Sequence, residues 1–132
     1  MLKRHFHAAD HAFRIRHRSD DRIRHYAYLK IADGCDNRCS YCSIPNIRGS
    51  LRSRSTESVL AEAQNLIDNG TKELIIIAQD TTAFRRDKGE KDAAAKLIQG
   101  LDKLKGDYWF RLMYLHPASP TDAIIGAMAD HI

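Results

Sequence analysis

The chain has 132 residues, 43% of them hydrophobic and 29% charged, with a formal net charge of +4. This composition suits one folded domain and excludes a low-complexity or fibrous polymer. No apolar run approaches the ~20 residues of a membrane helix, and the charged, histidine-rich start lacks the apolar core of a secretory signal. The expectation is a cytoplasmic protein.

The positive charge is concentrated at the start. Residues 1–24 hold Lys3, Arg4, Arg14, Arg16, Arg18, Arg22 and Arg24 against Asp10, Asp20 and Asp21, and the remainder is balanced. Residues 1–24 are therefore read as a basic linker or arm, solvated in the plainest case and able to contact ribosome or RNA in the functional one. Its histidines (His5, His7, His11, His17) have no ligand-like spacing.

A first strand is expected over residues 26–32, rich in aromatic and aliphatic side chains and read as buried. Asp33-Gly34 ends it. Residues 43–54, with Pro45 and Gly49 and no clean period, read as a long functional loop. A helix then starts near Ser55 or Thr56, either able to cap it, with Val59, Leu60, Ala63, Leu66 and Ile67 as one apolar stripe. Asn69-Gly70 stops it. The unbroken apolar run of residues 73–78 predicts a second strand, buried on both faces as in parallel sheets.

A polar loop over 79–90 leads to a helix over about 91–104, with Ala94, Leu97, Ile98, Leu101 and Leu104 inward. A third strand follows over 108–115. Ser119, Pro120 and Asp122 make a capping signature for a last helix, whose apolar side is Ile124, Ile125, Met128 and Ala129. Strand–helix alternation predicts an α/β fold with a parallel sheet. Three strands leave an open edge and an uncovered sheet face, so the chain reads as part of a larger domain.

The chemistry concentrates in Cys35, Cys39 and Cys42, the three cysteines of the chain. An odd, tight set in a cytosolic protein points to metal rather than disulfides. The loop directly follows the first strand, and the carboxyl ends of parallel strands are where α/β folds bind ligands. Three thiolates can hold three corners of an iron–sulfur cube, which leaves the fourth iron open to a chelating amino acid. The rival is a zinc site completed by His25 or His116, in a non-catalytic, zinc-stabilised RNA-binding module.

With a tyrosine just before the third cysteine, the spacing resembles the signature of radical S-adenosylmethionine (SAM) enzymes. That resemblance implies a 4Fe-4S cluster on the three cysteines, SAM at the open iron, and Tyr41 beside the adenine. It also implies reductive cleavage of SAM to a 5′-deoxyadenosyl radical, with electrons from a reductase. Asp33 to Cys42, Ile44 to Gly49 and Arg52-Ser53-Arg54 are together similar to the methylthiotransferases of this superfamily. Residues 25–31, Ala78-Gln79-Asp80-Thr81-Thr82 and Arg111-Leu112-Met113-Tyr114 resemble the branch that modifies an aspartate of small-subunit ribosomal protein twelve. The branch acting on transfer-RNA adenosine, the alternative, usually shows Gly-Gln-Asn in place of Ala78-Gln79-Asp80.

On this resemblance residues 25–132 are the N-terminal half of a radical SAM core, the first three β/α units of a partial barrel that is truncated here. A second 4Fe-4S cluster is expected in the full-length parent only, and the fragment alone is expected to lack full activity. Gln79 and Asp80 would lie near the cofactor's methionine end; the plainer reading makes residues 79–81 a helix cap and turn. Arg38, Arg48, Arg52 and Arg54 are candidates for a cofactor carboxylate or substrate phosphate, or for a solvated loop. Tyr108, Trp109, Phe110 and Tyr114 are read as core, and His116 as structural.

Overall fold

The computed structural model describes residues 25–119 and 121–130. The basic arm and Pro120 lie outside them. Strand β1 (Tyr26–Lys30) is followed by the two-residue strand β2 (Ala32–Asp33), helix α1 (Ile44–Arg48) and the two-residue strand β3 (Arg52–Ser53). Helix α2 (Thr56–Asp68), strand β4 (Glu73–Ile77), helix α3 (Ala93–Asp102), strand β5 (Trp109–Leu112) and helix α4 (Asp122–Ala129) complete the order. The main sheet is parallel, with β4 central between β1 and β5, and Tyr28, Ile75 and Arg111 lie side by side across it. The fold is mixed α/β, as the alternating pattern predicts.

The α2 boundaries follow from local chemistry. Ser55 takes an extended conformation and its hydroxyl accepts the Ser58 N–H at 3.2 Å, satisfying one free donor of the first turn. Val59, Ala63 and Ile67 then fall on one face and are buried. They join Ala27, Leu29, Leu74, Ile76, Leu97, Ile98 and Leu101 in one core. Where α2 and α3 approach, a Cβ on Gly100 would come within 3.0 Å of the Leu60 side chain, so the small residue sets the helix separation.

Several expectations change. The main sheet is buried on one face, not two: Leu74 and Ile76 are fully enclosed, while Ile75 and Ile77 are half-buried and Tyr26 and Tyr28 exposed. A groove of about 260 Å³ runs over this second face, lined by Tyr26, Tyr28, Ile75, Ile77, Met113 and Tyr114. No helix among the described residues is packed there to finish the burial that β-strand alternation leaves to its neighbours. Residues 43–54 are less irregular than their sequence suggests, because β3 pairs antiparallel with β2 (Ala32 opposite Ser53, Asp33 opposite Arg52). The polar loop over residues 79–90 is partly ordered: two short 3₁₀ turns, Thr81–Ala83 and Arg86–Lys88, form there, and residues 81–84 are buried.

The cap of α4 is Thr121, whose hydroxyl accepts the Ile124 N–H, rather than Ser119. The helix is also rotated relative to its apolar pattern. Ile124 and Ala127 are buried, whereas Ile125 and Met128 line an apolar hollow of about 780 Å³ beside β5, with Leu104, Tyr108, Phe110 and Leu112. Of the four aromatics read as core, Tyr108 and Phe110 pack partly against it while Trp109 and Tyr114 are exposed. No helix of the described residues is long and apolar enough to cross a membrane.

Candidate functional site at the carboxyl ends of the strands

The cysteine loop begins where β2 ends, and Gly34 decides how it begins. Its φ of +73° lies in the left-handed region, and a Cβ there would sit 2.2 Å from the Ser50 carbonyl oxygen. Both facts exclude other residues without rearrangement. The turn is reinforced on each side. Gly34 N–H donates to Asp33 Oδ1 at 3.1 Å, Cys35 N–H to the Gly49 carbonyl at 3.2 Å, and Leu51 N–H to Asp36 Oδ1 at 3.1 Å. The loop is thereby clamped to the segment that returns through β3.

Within the loop the three thiols are free and half-buried. Cys35 Sγ accepts the Asn37 N–H at 3.4 Å, and Cys42 N–H donates to the Cys39 carbonyl at 3.1 Å in a turn. Tyr41 projects outward, 89% exposed. A second set of bonds ties the loop to the ends of the neighbouring strands. Asn37 Nδ2 donates to Asp80 Oδ2 at 2.8 Å. Asp80 is 1% exposed, and its Oδ1 accepts both the N–H and the hydroxyl of Thr82, capping the first 3₁₀ turn. Thr81 donates its hydroxyl to the Met113 carbonyl at 2.8 Å and its N–H to the Tyr114 carbonyl at 3.2 Å. Three strand ends are thus joined by polar contacts that sequence reading did not find. The Asp80-Thr81-Thr82 capping signal was present; its long-range partners were not.

Gln79 precedes this network, and its Oε1 is buried without a hydrogen-bond donor. A buried amide oxygen left unpaired costs about 1–3 kcal/mol.

The arginines separate by role. Arg54 is buried and its guanidinium is already committed: Nη1 lies 2.7 Å from Glu62 Oε2 and 2.9 Å from the Lys30 carbonyl, and Nη2 bonds Ser58. It bolts β1 to α2 and is withdrawn as a ligand contact. Arg48 and Arg52 are exposed at 3.7 and 3.9 Å from Asp33, which Lys30 also meets at 3.1 Å. Arg38 is exposed in the loop. Farther out, Asp87 Oδ2 accepts the Ser53 N–H at 3.1 Å and so anchors β3. Burial pushes the Asp87 carboxyl up, but the Ser53 hydrogen bonds and the Lys88 charge outweigh it and hold it below its ordinary range.

A single zinc ion needs ligands about 2.0–2.3 Å from one point. Among the described residues no three His, Cys, Asp or Glu side chains gather in that way. His25 precedes β1, at the opposite end of the strand from the cysteines, so it is removed as a fourth ligand. His116 follows β5, and its Nδ1 accepts the Ala118 N–H at 3.4 Å, a local structural contact. An iron–sulfur cube spreads its thiolates over separate irons and does not require convergence on one atom. Three free, half-buried thiols in one clamped loop, with an N–H directed at a sulfur, fit that group.

Residues 29–131 match the Radical SAM superfamily. The chain belongs to it. Its radical SAM relatives include proteins named ribosomal protein uS12 methylthiotransferase RimO. That of Thermotoga petrophila is 48% identical over 118 residues, covering 89% of this chain and 27% of the relative. Those of Heliobacterium modesticaldum and Elusimicrobium minutum are 52% and 50% identical over 105 residues, each covering 80% of this chain. The radical SAM chain described here spans about a quarter of the length of these curated relatives.

Proposed function

We propose that this chain is the cluster-bearing part of a methylthiotransferase acting on an aspartate of ribosomal protein uS12. The observation that carries the reading is the cysteine loop itself, three free thiols clamped at the carboxyl ends of a parallel sheet by the Asn37–Asp80 bond. The resemblance of Ala78-Gln79-Asp80 and Arg111 to Tyr114 favours uS12 over transfer RNA, as do the names of the relatives.

Cys35, Cys39 and Cys42 would hold a 4Fe-4S cluster, which with SAM bound supplies reductive cleavage of the sulfonium and a carbon radical. Gln79 Oε1 would accept a proton of the cofactor's ammonium at the end of β4, with Asp80 beside it. Tyr41, exposed as it is here, would cover the adenine. Gly34 and the Asp36–Leu51 bond would keep the loop rigid, so that the thiolates are placed before the cluster arrives.

Residues 25–132 would be the first three β/α units of a partial barrel. The apolar hollow beside β5 would receive the next unit of the core. The remaining domains, a second cluster, contact with a reductase and any ribosomal RNA contact by the arm belong to the full-length protein, which would work in the cytoplasm.

The deciding experiment is anaerobic reconstitution with iron and sulfide, followed by electron paramagnetic resonance of the reduced protein with and without SAM. A reduced-cluster signal that shifts on adding SAM is expected. A folded protein that takes up no cluster overturns the reading. A full-length parent offered both substrates should modify uS12 and leave transfer RNA unmodified.

A further inference from the structure

Asp80 lies three residues beyond the end of the central strand, directly after the unpaired Gln79, and its side chain is directed to the protein rather than to an open site. It is 1% exposed, and both carboxylate oxygens are occupied: Oδ1 by Thr82, Oδ2 by Asn37 Nδ2 at 2.8 Å. Asn37 in turn is the residue whose backbone N–H points at Cys35 Sγ, at 3.4 Å. Asn37 is thus held twice, by its side chain to the end of β4 and by its backbone to the first cysteine. The Asp80 bond bridges residues 43 positions apart, and the Asn37–Cys35 bond spans two.

A buried carboxylate is costly unless its oxygens are well bonded, so the Asn37 amide is a favoured partner and the bond is a charge-assisted one. Losing it leaves Asn37 free to rotate. The N–H···S contact is the weaker of the two bonds and depends on the position of the Asn37 backbone. Hydrogen bonds to the sulfurs are one of the levers that set a cluster's reduction potential. A donor at a thiolate sulfur offsets negative charge, which favours the reduced cluster and raises the potential.

We propose that Asp80 is a positioning residue for the cysteine loop: by holding the Asn37 side chain it keeps the Asn37 N–H on Cys35 Sγ, and so raises the reduction potential of a cluster bound there. The inference rests on the cluster reading above. It assigns Asp80 an action through Asn37 rather than direct contact with the cofactor.

The test compares Asp80→Asn, Asn37→Ala, their combination, and Thr82→Val in the whole chain. Thr82→Val removes the hydroxyl bond to Asp80 and leaves the Asn37 bond in place. Two measurements are made. In the metal-free protein, hydrogen exchange of the Asn37 amide is followed by nuclear magnetic resonance. It should speed up by roughly 5- to 30-fold in Asp80→Asn and Asn37→Ala, the range expected for losing one or two kcal/mol of local restraint. In reconstituted protein, a redox titration followed by electron paramagnetic resonance should give a more negative midpoint in both single variants. The double variant should shift no further, because the two residues act as one unit. Thr82→Val should leave both readings at the wild-type value.

Unchanged exchange of the residue-37 amide in Asp80→Asn or in Asn37→Ala, or a Thr82→Val shift equal to that of Asp80→Asn, overturns the proposal and leaves Asp80 as a turn cap. Wild-type protein without a cluster overturns the cluster reading instead, and the exchange measurement still decides whether Asp80 positions Asn37. Asn37→Ala keeps the buried carboxylate and its cap, so it reports even if Asp80→Asn fails to fold.

Discussion

The two faces of the parallel sheet are made by the same strands and do opposite work. On the helix-covered face Leu29, Leu74 and Ile76 are fully enclosed against α2 and α3. On the other face Tyr26, Tyr28, Ile75 and Ile77 line an open groove, with Arg111 bonded to Glu73 at 2.9 Å and stacked 5.0 Å over Trp109. Neighbouring residues of β4 therefore contribute unequally. One face holds the fold together. The other is open, and the cysteine loop sits at its carboxyl end.

The sharpest way to break this comparison uses two adjacent residues. Leu74→Ala should destabilise the chain by about 2–5 kcal/mol, since it opens a cavity in a close-packed core. Ile75→Ala, one position along and turned to the groove, should cost about 1 kcal/mol, because its surroundings are already half open. Chemical denaturation of both variants checks this, and equal losses would show that the groove face is as load-sharing as the helix face.

Next in size is the bolt between β1 and α2. Glu62→Ala leaves Arg54 buried with its charge uncompensated and should cost about 3 kcal/mol. Thermal unfolding reads it directly; a loss below that of Ile75→Ala would mean the other Arg54 bonds suffice. Gly34→Ala should come third, at about 1–3 kcal/mol from the positive φ, with a much larger loss of cluster loading. Iron content after reconstitution separates these two effects.

The smallest expected effect concerns pH. The Asp87 carboxyl is held below its ordinary range, so the folded state binds that proton less tightly than the unfolded one. Its contribution is present above the unfolded value of about 3.9 and is lost as pH falls through the lower folded value. Asp87→Asn should therefore narrow the stability difference between neutral and acid solution. Urea unfolding at several pH values checks it, and an unaltered pH dependence would remove Asp87 as the anchor of β3.

What sequence could show of the fold depended on the range of the interaction. The Ser55 cap, the Val59–Ala63–Ile67 stripe and the stop at Asn69-Gly70 arise within a few residues and were legible. The α4 start was misplaced by two residues because Ser119 and Thr121 both offer a hydroxyl, and only the fold decides which one meets a free N–H. Arg54, beside Arg52, read as either a ligand contact or part of a solvated loop, and it is neither. Its burial depends on α2 returning to place Glu62 and Ser58 around it.

The sequence by itself determined the alternation of strands and helices, the position of the cysteine loop after the first strand, and the spacing that groups three thiols. These follow from local propensity and from a separation of eight residues or fewer. The tertiary structure alone decided which face of the sheet is open, which side of α4 is buried, and that Asp80 meets Asn37. Each depends on register and packing between segments far apart in the chain, where a rotation of one helix or a shift of one strand residue changes which side chains meet.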